Sequence, residues 1–183
     1  MFFIVGLGNI NQSLIQTKHN FGFWVLDKFA NEKSIVFKSS KGRFVFGKKH
    51  DICCVKPTTN MNNSGLAIID LIKLFDLELE KMLIVYDDID LDLGQIRFKK
   101  SGGSGGHKGI ESILYHSGTD QFLRLRLGIS VSGENLRPSE EYVLKPFRRK
   151  FDKQVSETID NSIEAIKFLT EGKSIQEVMN RYN

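Results

Sequence analysis

Short apolar runs alternate along this chain with longer segments whose apolar residues recur at helical spacing, and that alternation constrains the fold more than any other feature. Phe2 to Gly8, Asp51 to Lys56 and Met82 to Asp87 are runs of the first kind, and such continuous apolar character fits buried strands. The last of them stops in a run of acids. Phe21, Trp24, Val25 and Phe29 place a helix over Asn20 to Asn31, and a second runs from Gly65 to Phe75. Arg43 to Lys49 alternates as a strand, and Gln95 to Lys100 reads as another, shorter one. Leu123, Leu125, Leu127 and Ile129 alternate with Arg124, Arg126 and Gly128, the pattern of a half-buried strand. Phe151, Val155, Ile159, Ile163, Ile166 and Leu169 mark a long amphipathic helix closed by Gly172, and Ser174 with Glu177 forms a capping box for the last one. No internal repeat or linker divides the chain. The expectation is an α/β fold: a single domain over residues 1–183, with a twisted, mixed, mainly parallel sheet flanked by helices on both faces.

Composition excludes several classes. Hydrophobic residues make up 40% of the 183, enough to fill a core without disulfides or metal. The only cysteines, Cys53 and Cys54, are neighbours in an apolar strand and point to opposite faces, which suits neither a disulfide nor a zinc pair. A reducing compartment is expected. The start of the chain lacks a basic segment before a long apolar core, and no apolar stretch is long enough to span a membrane, so the expected location is the cytoplasm. Net charge is +4, with bases gathered at Arg97, Lys99, Lys100 and Lys108 and again at Lys145, Arg148, Arg149, Lys150 and Lys153. That distribution suits a polyanionic partner.

Ligands of open α/β sheets bind outside the carboxyl ends of the strands. Gly8-Asn9, Thr58 to Asn62, Asp87-Asp88 and the segment Ser101 to Gly109 all fall there. Gly6-Leu7-Gly8 is not a dinucleotide turn, because the third glycine position holds Asn11. Gly102 to Gly106 satisfies the spacing of a serine nucleophile elbow, but the histidines that follow, His107 and His116, come after no suitable acid. His107 also stands where a phosphate-binding Walker loop needs glycine. The glycines read better as room for a bulky ligand, with Lys108 and a helix N-terminus supplying positive charge. Asp88, Asp90 and Asp92 lack the rest of a calcium loop and read as a turn. His19 precedes the first helix, and Asp87 closes a strand, where a carboxylate can hold an imidazole in one tautomer. His50 and His116 read as surface residues.

Taken together, Val5-Gly-Leu-Gly-Asn9, Thr17-Lys-His-Asn-Phe-Gly22, Lys56-Pro-Thr-Thr-Asn-Met-Asn-Asn-Ser-Gly65, Val85-Tyr-Asp-Asp-Ile-Asp-Leu91, Gly102-Gly-Ser-Gly-Gly-His-Lys-Gly109 and Leu125-Arg-Leu-Gly-Ile129 resemble the bacterial-type peptidyl-tRNA hydrolase family over nearly the whole chain. The resemblance implies one α/β domain that hydrolyses the ester between an N-blocked peptide and the tRNA 3′ end. It implies no cofactor and no metal, a monomer without an obligate protein partner, and no membrane association. His19 would be the general base, with Asp87 orienting it. Asn9 would help to distinguish a blocked amine from a free one. Met61 and Asn62 would shape the substrate site, and Leu14, Asn60, Asn62 and Lys108 match positions of tRNA contact. The chain departs from the family at Ile10-Asn11, where Pro-Gly is usual. It departs again at Leu14, Asn60 and Lys108, where Tyr, an aromatic residue and Asn are common. Two rivals compete with this reading: a general serine esterase using Ser104, and an RNA-binding role without turnover, as in splicing-factor relatives of the fold. The intact set His19, Asp87, Asn9 and Asn62 favours the hydrolase.

Overall fold

A computed structural model describes residues 1–183. In chain order the elements are β1 (Phe2–Gly6), α1 (Phe21–Glu32), β2 (Lys38–Ser39), β3 (Phe44–Lys49), β4 (Ile52–Pro57), α2 (Ser64–Phe75), β5 (Met82–Asp92), β6 (Ile96–Lys99), α3 (Lys108–Ser117), β7 (Leu123–Ser130), α4 (Ser139–Val143), α5 (Asp152–Thr170) and α6 (Ile175–Tyr182). Short 3-10 turns precede α1 at Lys18–Asn20 and α2 at Met61–Asn63. The seven strands form one sheet in the order β2-β3-β4-β1-β5-β7-β6. Its centre, β4-β1-β5-β7, is parallel, while β2, β3 and β6 join antiparallel at the margins. The expected mixed α/β architecture is therefore present.

Both faces are covered, and period-two alternation decides which residue goes where. Ile4, Cys54, Leu83, Val85 and Leu125 pack beneath α1, α5 and α6. Phe3, Val5, Cys53, Ile84 and Tyr86 face α2 and α3. The adjacent cysteines thus lie in separate core layers and are free thiols. Burial pushes their pKa values up, to about 11 for Cys53 and about 12 for Cys54. No helix is long and apolar enough to cross a membrane.

Three expectations need correction. β5 does not stop at the acids but runs on to Asp92, because Asp88 is neutralised by Arg126 on β7 and pairing with β7 resumes after a bulge. β7 is not half-buried: Arg124 is 1% exposed, its face covered by the glycine-rich loop instead of water. Its guanidinium donates through Nη1 and Nη2 to the carbonyls of Gly103 and Gly102, which fixes that loop, while Nε is buried without a partner. His116 is partly buried, not a surface residue, with Nδ1 at 2.8 Å from the Ser112 carbonyl and its ring close to Gly65.

One glycine brings the site together. A Cβ on Gly22 would stand 2.3 Å from the Val85 carbonyl and 2.7 Å from that of Leu7. Only glycine lets the first turn of α1 lie directly on the end of β1 and the middle of β5. The turn immediately before it carries His19 and Asn20. These side chains consequently meet Asn9, which follows β1, and Asp87 on β5.

Candidate active site

Asp87 is 1% exposed and sits between two imidazoles. His19 Nδ1 is 3.0 Å from both of its carboxylate oxygens, and His107 Nε2 is 3.1 Å from Oδ1. The tautomers follow from the partners. His107 caps α3, its Nδ1 accepting the Ile110 N–H at 3.2 Å, so its proton is on Nε2 and is donated to Asp87. His19 likewise donates Nδ1–H to the carboxylate, which leaves Nε2 with a free lone pair. For Asp87, burial alone would raise the pKa; the charge and hydrogen bonds of His19 and His107 outweigh it and hold the carboxyl below its usual range. For His19, burial works against protonation, but Asp87 prevails and the pKa is raised.

Asn9 is held just as firmly. Its backbone N–H donates to Asn20 Oδ1 at 2.8 Å, while Asn20 Nδ2 donates to the Asn9 carbonyl at 2.9 Å. Its own Oδ1 accepts the Met61 N–H at 2.9 Å. With the carbonyl end of the amide engaged, Nδ2 is the end left for a ligand, and it can only donate.

Two cavities meet at His19. The larger, about 400 Å³, is lined by Asn9, Leu14, His19, Asn60, Met61, Asn62 and Lys108, together with Glu140, Val143 and Leu144 from α4 and the residue after it. Every substrate residue expected from the sequence therefore borders one space. The smaller, about 130 Å³, joins His19 to Asp87 and the loop Ser104 to Lys108. Gly102, Gly105 and Gly106 have positive φ, and a Cβ on any of them would meet nothing within 4 Å. Glycine is required there by backbone conformation, and the space beside the loop is open to a ligand. Asn11, at a usual glycine position of the family, caps a 3-10 turn by accepting the Ser13 N–H at 3.1 Å. Lys108 stands at the start of α3 as expected, but its ammonium leans 3.3 Å from Glu111 on the exposed surface.

The rival arrangements are not assembled. Ser104 Oγ accepts the Gly106 N–H at 3.2 Å and bonds to neither histidine, so no serine is activated. In the acidic run, Asp88 is occupied by Arg126 and by the Asp90 N–H. The group whose ligand atoms do converge, within 4.8 Å, is His19, Asp87 and His107. These three residues could hold a metal; in this arrangement each imidazole is hydrogen-bonded to Asp87. Sequence reasoning missed His107 and Asn20. The signal for His107 was its place at the start of a helix following a strand, the same edge that holds Asp87.

Fold and site together define a class: an α/β protein with a buried imidazole–carboxylate cluster beside the parallel centre of a mixed sheet. The family profile described as peptidyl-tRNA hydrolase matches residues 3–183. Peptidyl-tRNA hydrolase of Geobacillus thermodenitrificans is 40% identical over the full length of both chains, and that of Thermodesulfovibrio yellowstonii is 37% identical over 100% of this chain and 99% of its own. The crystal structure of peptidyl-tRNA hydrolase from Acinetobacter baumannii superposes with a TM-score of 0.90 at 34% identity, covering 100% of this chain and 94% of that one. The chain belongs to the peptidyl-tRNA hydrolase family.

Proposed function

We propose that residues 1–183 act as one catalytic domain that hydrolyses the ester between an N-blocked amino acid or peptide and the 3′ end of tRNA, releasing tRNA for reuse. The observation that carries the mechanism is the double contact of His19 Nδ1 with Asp87, which leaves Nε2 as a base of raised pKa beside both cavities. His19 Nε2 takes a proton from water as the water oxygen attacks the ester carbonyl. Asp87 stabilises the imidazolium that forms, and His107 holds Asp87 from its other side. The Asn9 amide donates to the substrate through Nδ2, steadying a carbonyl oxygen or the oxyanion it becomes. The tetrahedral intermediate then breaks its bond to the ribose oxygen. That oxygen receives the proton held by His19, giving a free carboxylic acid and a tRNA hydroxyl. A positioned base is worth roughly 10²–10⁴-fold and oxyanion donors a few kcal/mol more, enough for an activated ester with no metal in the route.

Asn60, Asn62, Met61 and Leu14 border the same cavity and would contact the acceptor end or the attached peptide. Lys108 would face phosphate. A monomer that needs no cofactor and no obligate protein partner is part of the same proposal. A tRNA substrate supports a cytoplasmic setting. The amides of Asn9, Asn60 and Asn62 line the cavity and match the amide of an acylated amine, so a blocked amine is preferred. Release of acetyl-amino acid from acetyl-aminoacyl-tRNA, compared with release from the unblocked aminoacyl-tRNA, tests the proposal. Rapid release of the blocked form alone supports it; equal rates refute it.

A further inference from the structure

The residue before the proposed base is a lysine buried to 2% exposure that forms no salt bridge. Burying an ammonium is costly unless its protons are bonded. The Lys18 ammonium donates to two backbone carbonyls, those of Pro146 at 3.1 Å and Lys145 at 3.4 Å. It also lies 4.2 Å from the centre of the Tyr142 ring and 5.3 Å from that of Phe147. The Lys18 backbone N–H donates to the same Lys145 carbonyl at 3.1 Å. All of these partners belong to one stretch, α4 and the chain that leaves it.

Apart from Lys18, that stretch is fixed by packing of the Phe147 ring on Phe21 and Trp24, at 5.4 and 6.1 Å, and by few hydrogen bonds. α4 is five residues long, and its N-cap makes no side-chain hydrogen bond. Tyr142 anchors it to the core by donating to the Ile129 carbonyl at 2.7 Å. Glu140 and Val143 wall both cavities, and Leu144 walls the larger. The Lys18 cation thus sits where the carbonyls just beyond α4 gather negative potential, next to this wall. Burial lowers the Lys18 pKa, Glu134 opposes the shift, and Lys145 and Arg148 add to it. A methionine would fill the same space at less electrostatic cost. Its absence argues for a tether, not for packing.

We infer that Lys18 is a positioning residue of the active site: its ammonium ties the α4 wall of the substrate cavities to the turn that carries His19. The inference rests on the hydrolase reading for its functional consequence and on geometry alone for the tether. It extends the site beyond the residues that touch substrate, since Lys18 itself lines neither cavity and acts through Glu140, Val143 and Leu144.

Lys18→Met tests it, with acetyl-aminoacyl-tRNA as substrate and amide hydrogen exchange as a second readout. Loss of charge-assisted bonds to the wall should raise KM roughly tenfold while kcat at saturation stays within about threefold. Exchange should quicken over residues 139–147 and stay unchanged in β1 and β5. Lys18→Arg should restore both readouts, since it keeps a donor cation. Lys18→Gln, polar but uncharged, should behave as Met does and decides the matter if the methionine variant does not fold. Unchanged KM together with unchanged exchange would overturn the inference, as would exchange that quickens evenly through the sheet. The exchange arm needs no turnover, so it decides the tether even if the hydrolase reading fails.

Discussion

His19 and Asp87 stand 68 positions apart in the chain, yet both carboxylate oxygens lie 3.0 Å from one imidazole nitrogen. The contact exists because Gly22 lets α1 begin against the end of β1 and the middle of β5. It determines which nitrogen of His19 is basic, and it raises that basicity. The predictions below follow from this pair and from the groups that hold it.

The first concerns pH. A base must be neutral to accept a proton, so the acidic limb of kcat/KM should have its midpoint above the ordinary imidazole value of 6.5. Asp87→Asn removes the charge that favours imidazolium. The midpoint should then move to lower pH, and the plateau should fall by roughly 10- to 100-fold as orientation is lost. A pH–rate profile checks both effects. An unmoved limb with an unchanged plateau would remove Asp87 from the mechanism.

His107 serves two partners, and they can be separated. Asn is a good helix cap, so His107→Asn should preserve α3 while losing the Nε2–H donated to Asp87. We expect kcat to fall several-fold, on the order of 1 kcal/mol for one lost hydrogen bond, with the melting temperature nearly unchanged. Steady-state kinetics and calorimetry together read this out. Full activity would reduce His107 to a cap.

Asn9 is aimed by the Met61 N–H that its carbonyl accepts. Asn9→Ala should cut kcat on acetyl-aminoacyl-tRNA by up to roughly 10²-fold and narrow the preference over the unblocked substrate. Asn9→Asp has no amide donor and should do no better. Retained discrimination in the alanine variant would assign selectivity elsewhere in the cavity.

Lys108 presents a point charge where the family commonly has Asn, and Glu111 partly masks it. Lys108→Asn should raise KM with little loss of kcat and flatten the salt dependence by a slope of roughly 0.7–0.9, one counterion's worth. Glu111→Gln should act in the opposite direction, lowering KM at low salt. A collapse of kcat with the salt slope unchanged would place Lys108 in the chemistry.

Much of this was legible in the residues themselves. The parallel centre follows from apolar runs separated by helices, and the opposite facing of Cys53 and Cys54 follows from strand geometry alone. Asn9, Met61, Asn62 and His19 end up around one cavity because each follows a strand or opens a helix at the same edge. What escaped depends on contacts between distant segments. Arg124 looked half-exposed because alternation reports the pleat and not what covers its second face, here the glycine loop. His107 gained its second partner only through the juxtaposition of β5 and α3. α4 is too short for periodicity to reveal and is held by Lys18, 127 positions from Lys145.

The central claim is that His19 is the base. Turnover of acetyl-aminoacyl-tRNA by His19→Ala, measured at saturation with the melting temperature recorded alongside, tests it most directly. The account predicts a loss of at least roughly 10²-fold, the lower range for a positioned base, in a protein that remains folded. Retention of more than about a tenth of wild-type turnover, far above what loss of such a base allows, would contradict it.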